Sequence, residues 1–205
     1  MYILHLSDIH YRRELGCRKK ADQGPLDGTN KKHGGVDRAA GPDGYQAMLS
    51  AMQNPLVFLD DCLDRVAGDW ERIGLVVITG DLTEDGTAED YRCLKHHIRK
   101  RIGDIPLVVT LGNHDNKRNF REGWLEEDAD SPCGLKEIGS APYNTIRRLE
   151  DTAVISFDTS VQGVPDGRMD DSQAAWLESV LKAEGKGPSI LVTHHHLLPE
   201  QGQIP

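Results

Sequence analysis

The sequence has few cysteines, and it lacks any long apolar run. Its 205 residues include four cysteines, which lie far apart at Cys17, Cys62, Cys93 and Cys133. This spacing argues against a zinc ribbon or a disulfide framework and predicts reduced thiols. The first apolar run, residues 2–6, is too short for a signal peptide or a membrane span, so we predict a cytoplasmic protein without membrane segments.

Positive charge is also in the minority. The chain has 33 acidic and 24 basic side chains, a formal net charge of -9. This balance makes broad binding to nucleic acid or anionic membranes unlikely, although aspartates that bind metals would also lower the net charge. An acidic protein can still take a small phosphoester substrate. The length fits one domain with an insertion.

A segment without hydrophobic periodicity extends from about residue 11 to residue 54. Its repeated Gly-Pro, Asp-Gly and Gly-Gly pairs are typical of a functional flap or a disordered insertion. Between residues 12 and 38 it has eight basic and four acidic side chains. Such an excess could attract an anionic substrate, and it is equally consistent with a solvated loop.

Five apolar runs, separated by helical patterns, predict an α/β fold. Helices are predicted from Pro55 with Asn54 as N-cap, from Thr87, within 119–127, and after Asp170 or Asp171. Strands followed by helices imply layering in which ligands gather beyond the carboxyl ends of the strands. The strands are predicted at residues 2–6, 75–79, 107–111, 153–157 and 189–193.

Four of these strands end in aspartate, asparagine or histidine. Any one such cluster could be a turn, but four at equivalent strand ends predict a metal site. Carboxylate, amide and imidazole without cysteine suit Mn, Fe, Zn or Co better than a structural zinc or a calcium site. The clusters are Asp8-Ile9-His10, Gly80-Asp81, Gly112-Asn113-His114-Asp115 and His194-His195-His196.

The residue types at these strand ends indicate phosphoester hydrolysis. A carboxylate such as Asp81 can bridge two cations about 3.5 to 4 Å apart, and such a pair binds a phosphoryl oxygen and activates a shared water. An acid must then protonate the departing oxygen. His114 suits this role because histidine titrates near neutral pH, and we expect Asp115 to orient its ring.

In order, strand context and spacing, these motifs resemble the calcineurin-like metallophosphoesterases. Gly-Asn-His-Asp-Asn and Asp158-Thr159-Ser160 resemble the cyclic-nucleotide phosphodiesterase branch in particular. The resemblance implies a four-layer α/β/β/α sandwich of two mixed sheets with helices outside. It also implies two metal ions and an uncoordinated catalytic imidazole, His114. Asp8 and His10 would bind the first metal, Asp81 would bridge, and Asn113 and His194 would bind the second, with a shift to His195 or His196 left open.

The closing Gly-His-x-His motif of that family has no counterpart after His196. We therefore expect residues 1–205 to be a metallophosphoesterase domain that is incomplete at its C-terminus, or a domain with a genuinely reduced site. Such a chain should retain metal weakly and have poor activity. Elemental analysis that finds two tightly held metal ions per chain would contradict this expectation.

The leading functional prediction is a metal-dependent phosphodiesterase for cyclic nucleotides or similar small diesters. A phosphomonoesterase or nuclease of the same fold is an alternative, because one metal core serves many substrates. A non-catalytic scaffold of that fold is a third. The sequence predicts neither the metal nor the oligomeric state.

Overall fold

The structure is a computed structural model that describes residues 1–13, 54–127 and 141–196. The elements follow the predicted order, with one strand added. They are β1 (Tyr2–Ser7), α1 (Pro55–Arg65), a 3₁₀ helix (Ala67–Arg72), β2 (Ile73–Thr79), α2 (Ala88–Ile102), β3 (Leu107–Thr110), α3 (Lys117–Phe120) with a π-helical turn (Arg121–Leu125), β4 (Thr145–Leu149), β5 (Thr152–Ser156), α4 (Asp171–Glu184) and β6 (Ser189–Val192).

The described strands form two three-stranded sheets. The first has the order β1-β2-β3 and is wholly parallel. In the second, β5 pairs antiparallel with β4 and parallel with β6. The implied pair of mixed sheets is therefore right for the second sheet and wrong for the described part of the first. Because the strands of the first sheet are parallel, their carboxyl ends lie at one edge.

The two faces of β2 show how the layers stack. Val76 and Ile78 pack into the core formed with the helices, whereas Leu75 and Val77 pack into the core between the sheets. This alternation is what a strand buried on both faces requires. Beyond the second sheet, the Phe157 ring stacks on Trp176 of α4 with 6.3 Å between ring centroids. The α/β/β/α layering is confirmed.

The helix starts follow the predicted caps. The Asn54 side chain accepts a hydrogen bond from the Leu56 amide, and the Thr87 hydroxyl accepts one from the Asp90 amide. The short helix begins two residues before the predicted range because Asn116 caps it. Its Phe120 and Trp124 rings are buried and stacked, as their four-residue spacing predicted.

The predicted insertion at about 11–54 begins too early. Tyr11 and Arg12 are buried, and the Tyr11 amide donates to the Leu82 carbonyl at 3.1 Å. The Glu84 amide donates back to the Tyr11 carbonyl at 3.1 Å. Residues 11–13 thus belong to the packed domain, and so does Asn54, while residues 14–53 lie outside the described residues.

Asp170, and not Asp171, caps α4. Its carboxylate accepts from the Gln173 amide at 2.8 Å, and the Gln173 side chain accepts from the Asp170 amide at 3.4 Å. Asp170→Ala should therefore lower the free energy of unfolding in urea by about 1 kcal/mol, because the Gln173 amide in the first helical turn loses its acceptor. Asp171→Ala is the control, since it removes only a charge near the helix start, worth about 0.3 kcal/mol. Equal losses in the two variants would contradict the assignment.

Candidate metal centre

Four strand ends bring five of the predicted site residues together. The His10 Nε2 atom lies 3.6 Å from Asp81 Oδ2 and 3.9 Å from Asp8 Oδ1, and His194 Nε2 lies 3.6 Å from Asp81 Oδ2. Within the described residues, two groups have ligand atoms within 4.8 Å of one another: His10 with Asp81 and His114, and Asp8 with Asp81 and His194. Asp81 belongs to both groups, as a bridging carboxylate must.

The backbone at these strand ends is in an unusual conformation. Asp8, His10 and Asp81 have φ angles of 55°, 48° and 47°, in the left-handed region that residues other than glycine seldom adopt. Backbone hydrogen bonds hold this geometry, including one from the His10 amide to the Asp81 carbonyl at 2.9 Å. Such strain is typical of functional sites, where the surrounding fold fixes side chains in one direction.

Two glycines allow the segments to approach closely. A Cβ atom on Gly80 would lie 2.4 Å from the His194 ring, and one on Gly112 would lie 2.1 Å from Asp81 Oδ1. Gly80 also has a φ of 69°. The glycines of the Gly-Asp and Gly-Asn-His motifs are therefore required by the contact between strand ends.

The two imidazoles nearest Asp81 are oriented for metal binding. His10 Nδ1 donates to Glu84 Oε2 at 2.7 Å, and His194 Nδ1 donates to the Thr79 carbonyl at 3.0 Å. Because Nδ1 carries the hydrogen in each ring, Nε2 keeps its lone pair and faces the carboxylates. This donor set fits the predicted metal ions. The hydrogen bond to Glu84 also raises the pKa of His10, and the same bond lowers the pKa of Glu84.

The three consecutive histidines have different surroundings. His194 lies at the centre, whereas His195 Nδ1 bonds to the Thr159 hydroxyl at 2.9 Å and its ring packs against Gly167. His196 is exposed. Burial lowers the pKa of His195, with the neighbouring His194 contributing. Of the triplet, His194 is therefore the candidate ligand.

Asn113 and His114 are held next to Asp81 by the backbone. The His114 amide donates to Asp81 Oδ1 at 3.0 Å, and the Asn113 carbonyl accepts from the Gly163 amide at 2.8 Å. These bonds fix the segment after β3 between Asp81 and the loop after β5. The role of Asn113 as a metal ligand stays a prediction.

The predicted role of Asp115 is wrong, because its carboxylate does not orient the His114 ring. Asp115 is completely buried. Burial raises its pKa to about 6, although its hydrogen-bond donors favour the charged form. His114 Nδ1 instead lies 3.3 Å from the Glu84 carbonyl. The groups that donate to Asp115 are the amides of Gly112, Leu82 and Thr83 and the Tyr91 hydroxyl, at 2.9, 3.1, 3.3 and 2.9 Å.

Glu84, to which the sequence pattern assigns no role, contacts both His10 and His114. Its position three residues after Asp81, in the same loop, was the available signal. Asp158 is a buried carboxylate that pairs with Lys117, a contact that the sequence pattern does not predict. Lys117 Nζ donates to the Ser160 hydroxyl at 2.9 Å as well, so this pair ties the loop after β5 to the segment after β3.

No helix in residues 1–13, 54–127 or 141–196 is long and apolar enough to cross a membrane.

Comparison with known proteins finds a phosphoesterase family and several phosphodiesterase relatives. Residues 1–204 match the calcineurin-like phosphoesterase family. A glycerophosphodiester phosphodiesterase, GpdQ of Enterobacter lignolyticus, is 28% identical over 97% of this chain and 58% of its own length. A probable cyclic nucleotide phosphodiesterase of Rhodococcus erythropolis is 31% identical over 69% of this chain and 44% of its own length. A cAMP/cGMP dual specificity phosphodiesterase of Mycobacterium tuberculosis is 28% identical over 69% of this chain and 42% of its own length. The chain thus spans about half the length of these relatives.

Proposed function

Because the chain belongs to the calcineurin-like phosphoesterase family, we propose that its metal centre hydrolyses small phosphodiesters. The observation that carries the proposal is the pair of ligand groups that share Asp81, one with His10 and His114 and the other with Asp8 and His194. The relatives named above are glycerophosphodiester and cyclic nucleotide phosphodiesterases. Their common chemistry is cleavage of a phosphodiester to a monoester and an alcohol, and the proposal extends this chemistry to the present chain.

The side chains divide into ligands and an acid. Asp8, His10, Asp81, Asn113 and His194 would hold two metal ions, which neutralise charge on the phosphoryl oxygens and lower the pKa of water. The metals we propose are Mn, Fe, Zn or Co, since the donors are oxygen and imidazole nitrogen.

His114 is the proposed proton donor to the departing oxygen. Its Nδ1 faces the Glu84 carbonyl at 3.3 Å, so Nε2 is the nitrogen available to a substrate. The ring is only part-exposed, at 32% of its side-chain surface, and it meets the His10 ring edge to face at 4.8 Å. When both ring nitrogens are protonated, the proton on Nε2 is therefore held close to the ligand groups.

Hydrolysis of model substrates in excess Mn²⁺ tests the proposal. We expect turnover of bis-p-nitrophenyl phosphate and cyclic AMP to exceed that of p-nitrophenyl phosphate. Faster cleavage of the monoester would favour a phosphomonoesterase. Metal binding without turnover of any of the three would favour a non-catalytic scaffold.

The cytoplasmic location stays a prediction.

A further inference from the structure

We propose that Glu84 is a positioning residue: its carboxylate fixes the ring of the metal ligand His10, and its backbone carbonyl fixes the ring of His114. The inference rests on the proposed metal centre. It adds a residue that lies outside the ligand groups and determines the direction in which two imidazoles present their nitrogen atoms.

Glu84 contacts both rings at Nδ1. Its Oε2 atom accepts from His10 Nδ1 at 2.7 Å and lies 3.5 Å from His114 Nδ1. Its carbonyl oxygen lies 3.3 Å from His114 Nδ1. Carboxylate and carbonyl oxygens only accept hydrogen bonds, so both rings carry hydrogen on Nδ1. In each case Nε2 is left for the centre.

Glu84 is itself held rigidly. Oε1 lies 3.3 Å from the Arg12 guanidinium, whose side chain is only 5% exposed. The Glu84 amide donates to the Tyr11 carbonyl at 3.1 Å. The side chain and the backbone of Glu84 are therefore both fixed before any metal binds, which is what a positioning residue requires.

Loss of the carboxylate should act on the two histidines differently. His10 would lose the partner of its Nδ1, and its ring could then rotate or carry hydrogen on Nε2, which cannot bind a metal. His114 would keep the Glu84 carbonyl. Removing such an outer partner of a metal-ligating histidine typically weakens metal binding by about 10- to 100-fold.

The test measures Mn²⁺ affinity by isothermal titration calorimetry on the full chain carrying Glu84→Ala. We expect Kd to rise about 10- to 100-fold, and less for Glu84→Gln, whose amide oxygen still accepts a hydrogen bond. Glu178→Ala is the matched control, because it also removes one carboxylate but on the exposed face of α4, paired with Lys182. Its Kd should equal that of the wild type. Kd values for Glu84→Ala within twofold of the wild type would overturn the proposal.

Histidine tautomers, measured by long-range ¹H–¹⁵N spectra of the metal-free protein, give a second readout. We expect His10 to carry hydrogen on Nδ1 in the wild type and to lose this preference in Glu84→Ala, while His114 keeps it. A merely structural role for Glu84 would lower stability without this selective change. If the wild type binds no Mn²⁺, the proposed function fails, yet the tautomers still decide the inference. An unchanged His10 tautomer would contradict it.

Discussion

Replacing His114 by alanine is expected to lower kcat for cyclic AMP in excess Mn²⁺ by about 10²- to 10⁴-fold, the usual contribution of a general acid. Metal affinity should change little, because the proposed ligand set does not include this ring. The ring is instead held through Nδ1 at the Glu84 carbonyl, 3.3 Å away. Steady-state kinetics and isothermal titration calorimetry on the same preparation measure the two effects.

The size of this loss should depend on the leaving group. An alkoxide is a strong base and needs a proton as the ester bond breaks, whereas p-nitrophenolate is a weak base and departs unaided. His114→Ala should therefore reduce turnover of bis-p-nitrophenyl phosphate much less than turnover of cyclic AMP. Equal losses on both substrates would mean that His114 does not act as the acid.

His96→Ala is the matched control, since His96 is exposed on α2. It should retain wild-type kinetics and metal affinity. A parallel loss of activity and metal in His114→Ala would instead identify His114 Nε2 as a ligand. The structure allows that outcome, because a ring nitrogen of His114 lies within 4.8 Å of ligand atoms of His10 and Asp81.

The strand ends were predictable because the signal there is local. An apolar run that stops at Asp8 or Asp81 marks both a strand and the polar group that follows it. Parallel pairing of β1 with β2 then places these side chains at one edge of the sheet. The choice of ligand among the three consecutive histidines stayed open in the sequence. The contact that distinguishes His194, with Thr79, joins residues that are 115 positions apart.

What sequence patterns could not predict depends on contacts between distant segments. The left-handed backbone at Asp8, His10 and Asp81 could not be predicted from residue type, since none of them is glycine. β4 was not predicted, because the exposed side chains of Arg147 and Arg148 interrupt its apolar pattern. Charged side chains are common on a strand at the edge of a sheet, where β4 lies. Each of these features is set by neighbours in the fold rather than in the chain.

Asp115 also depends on contacts between distant segments, since it accepts hydrogen bonds from residues 82 and 83, and its replacement should have a large effect on stability. Asp115→Ala should lower the free energy of unfolding in urea by at least about 3 kcal/mol, because buried backbone amides lose their acceptor. These amides belong to Gly112, Leu82 and Thr83, so the carboxylate joins the segments that follow β2 and β3. The loss should appear as a lower transition midpoint with an unchanged slope.

Tyr91→Phe is the control for Asp115→Ala, because it removes a single donor to the carboxylate. Its loss should be smaller, about 1 to 2 kcal/mol, because a single backbone amide, that of Asn116, loses its acceptor, which lies 2.9 Å away in the wild type. At a temperature where Asp115→Ala is folded, its kcat should approach that of the wild type. A hundredfold lower kcat in an Asp115→Ala protein of normal stability would restore the orienting role that the sequence suggested. If Asp115 is instead a buried link between strand ends, the Asp115→Ala protein should lose much of its stability, and the molecules that remain folded should keep their activity.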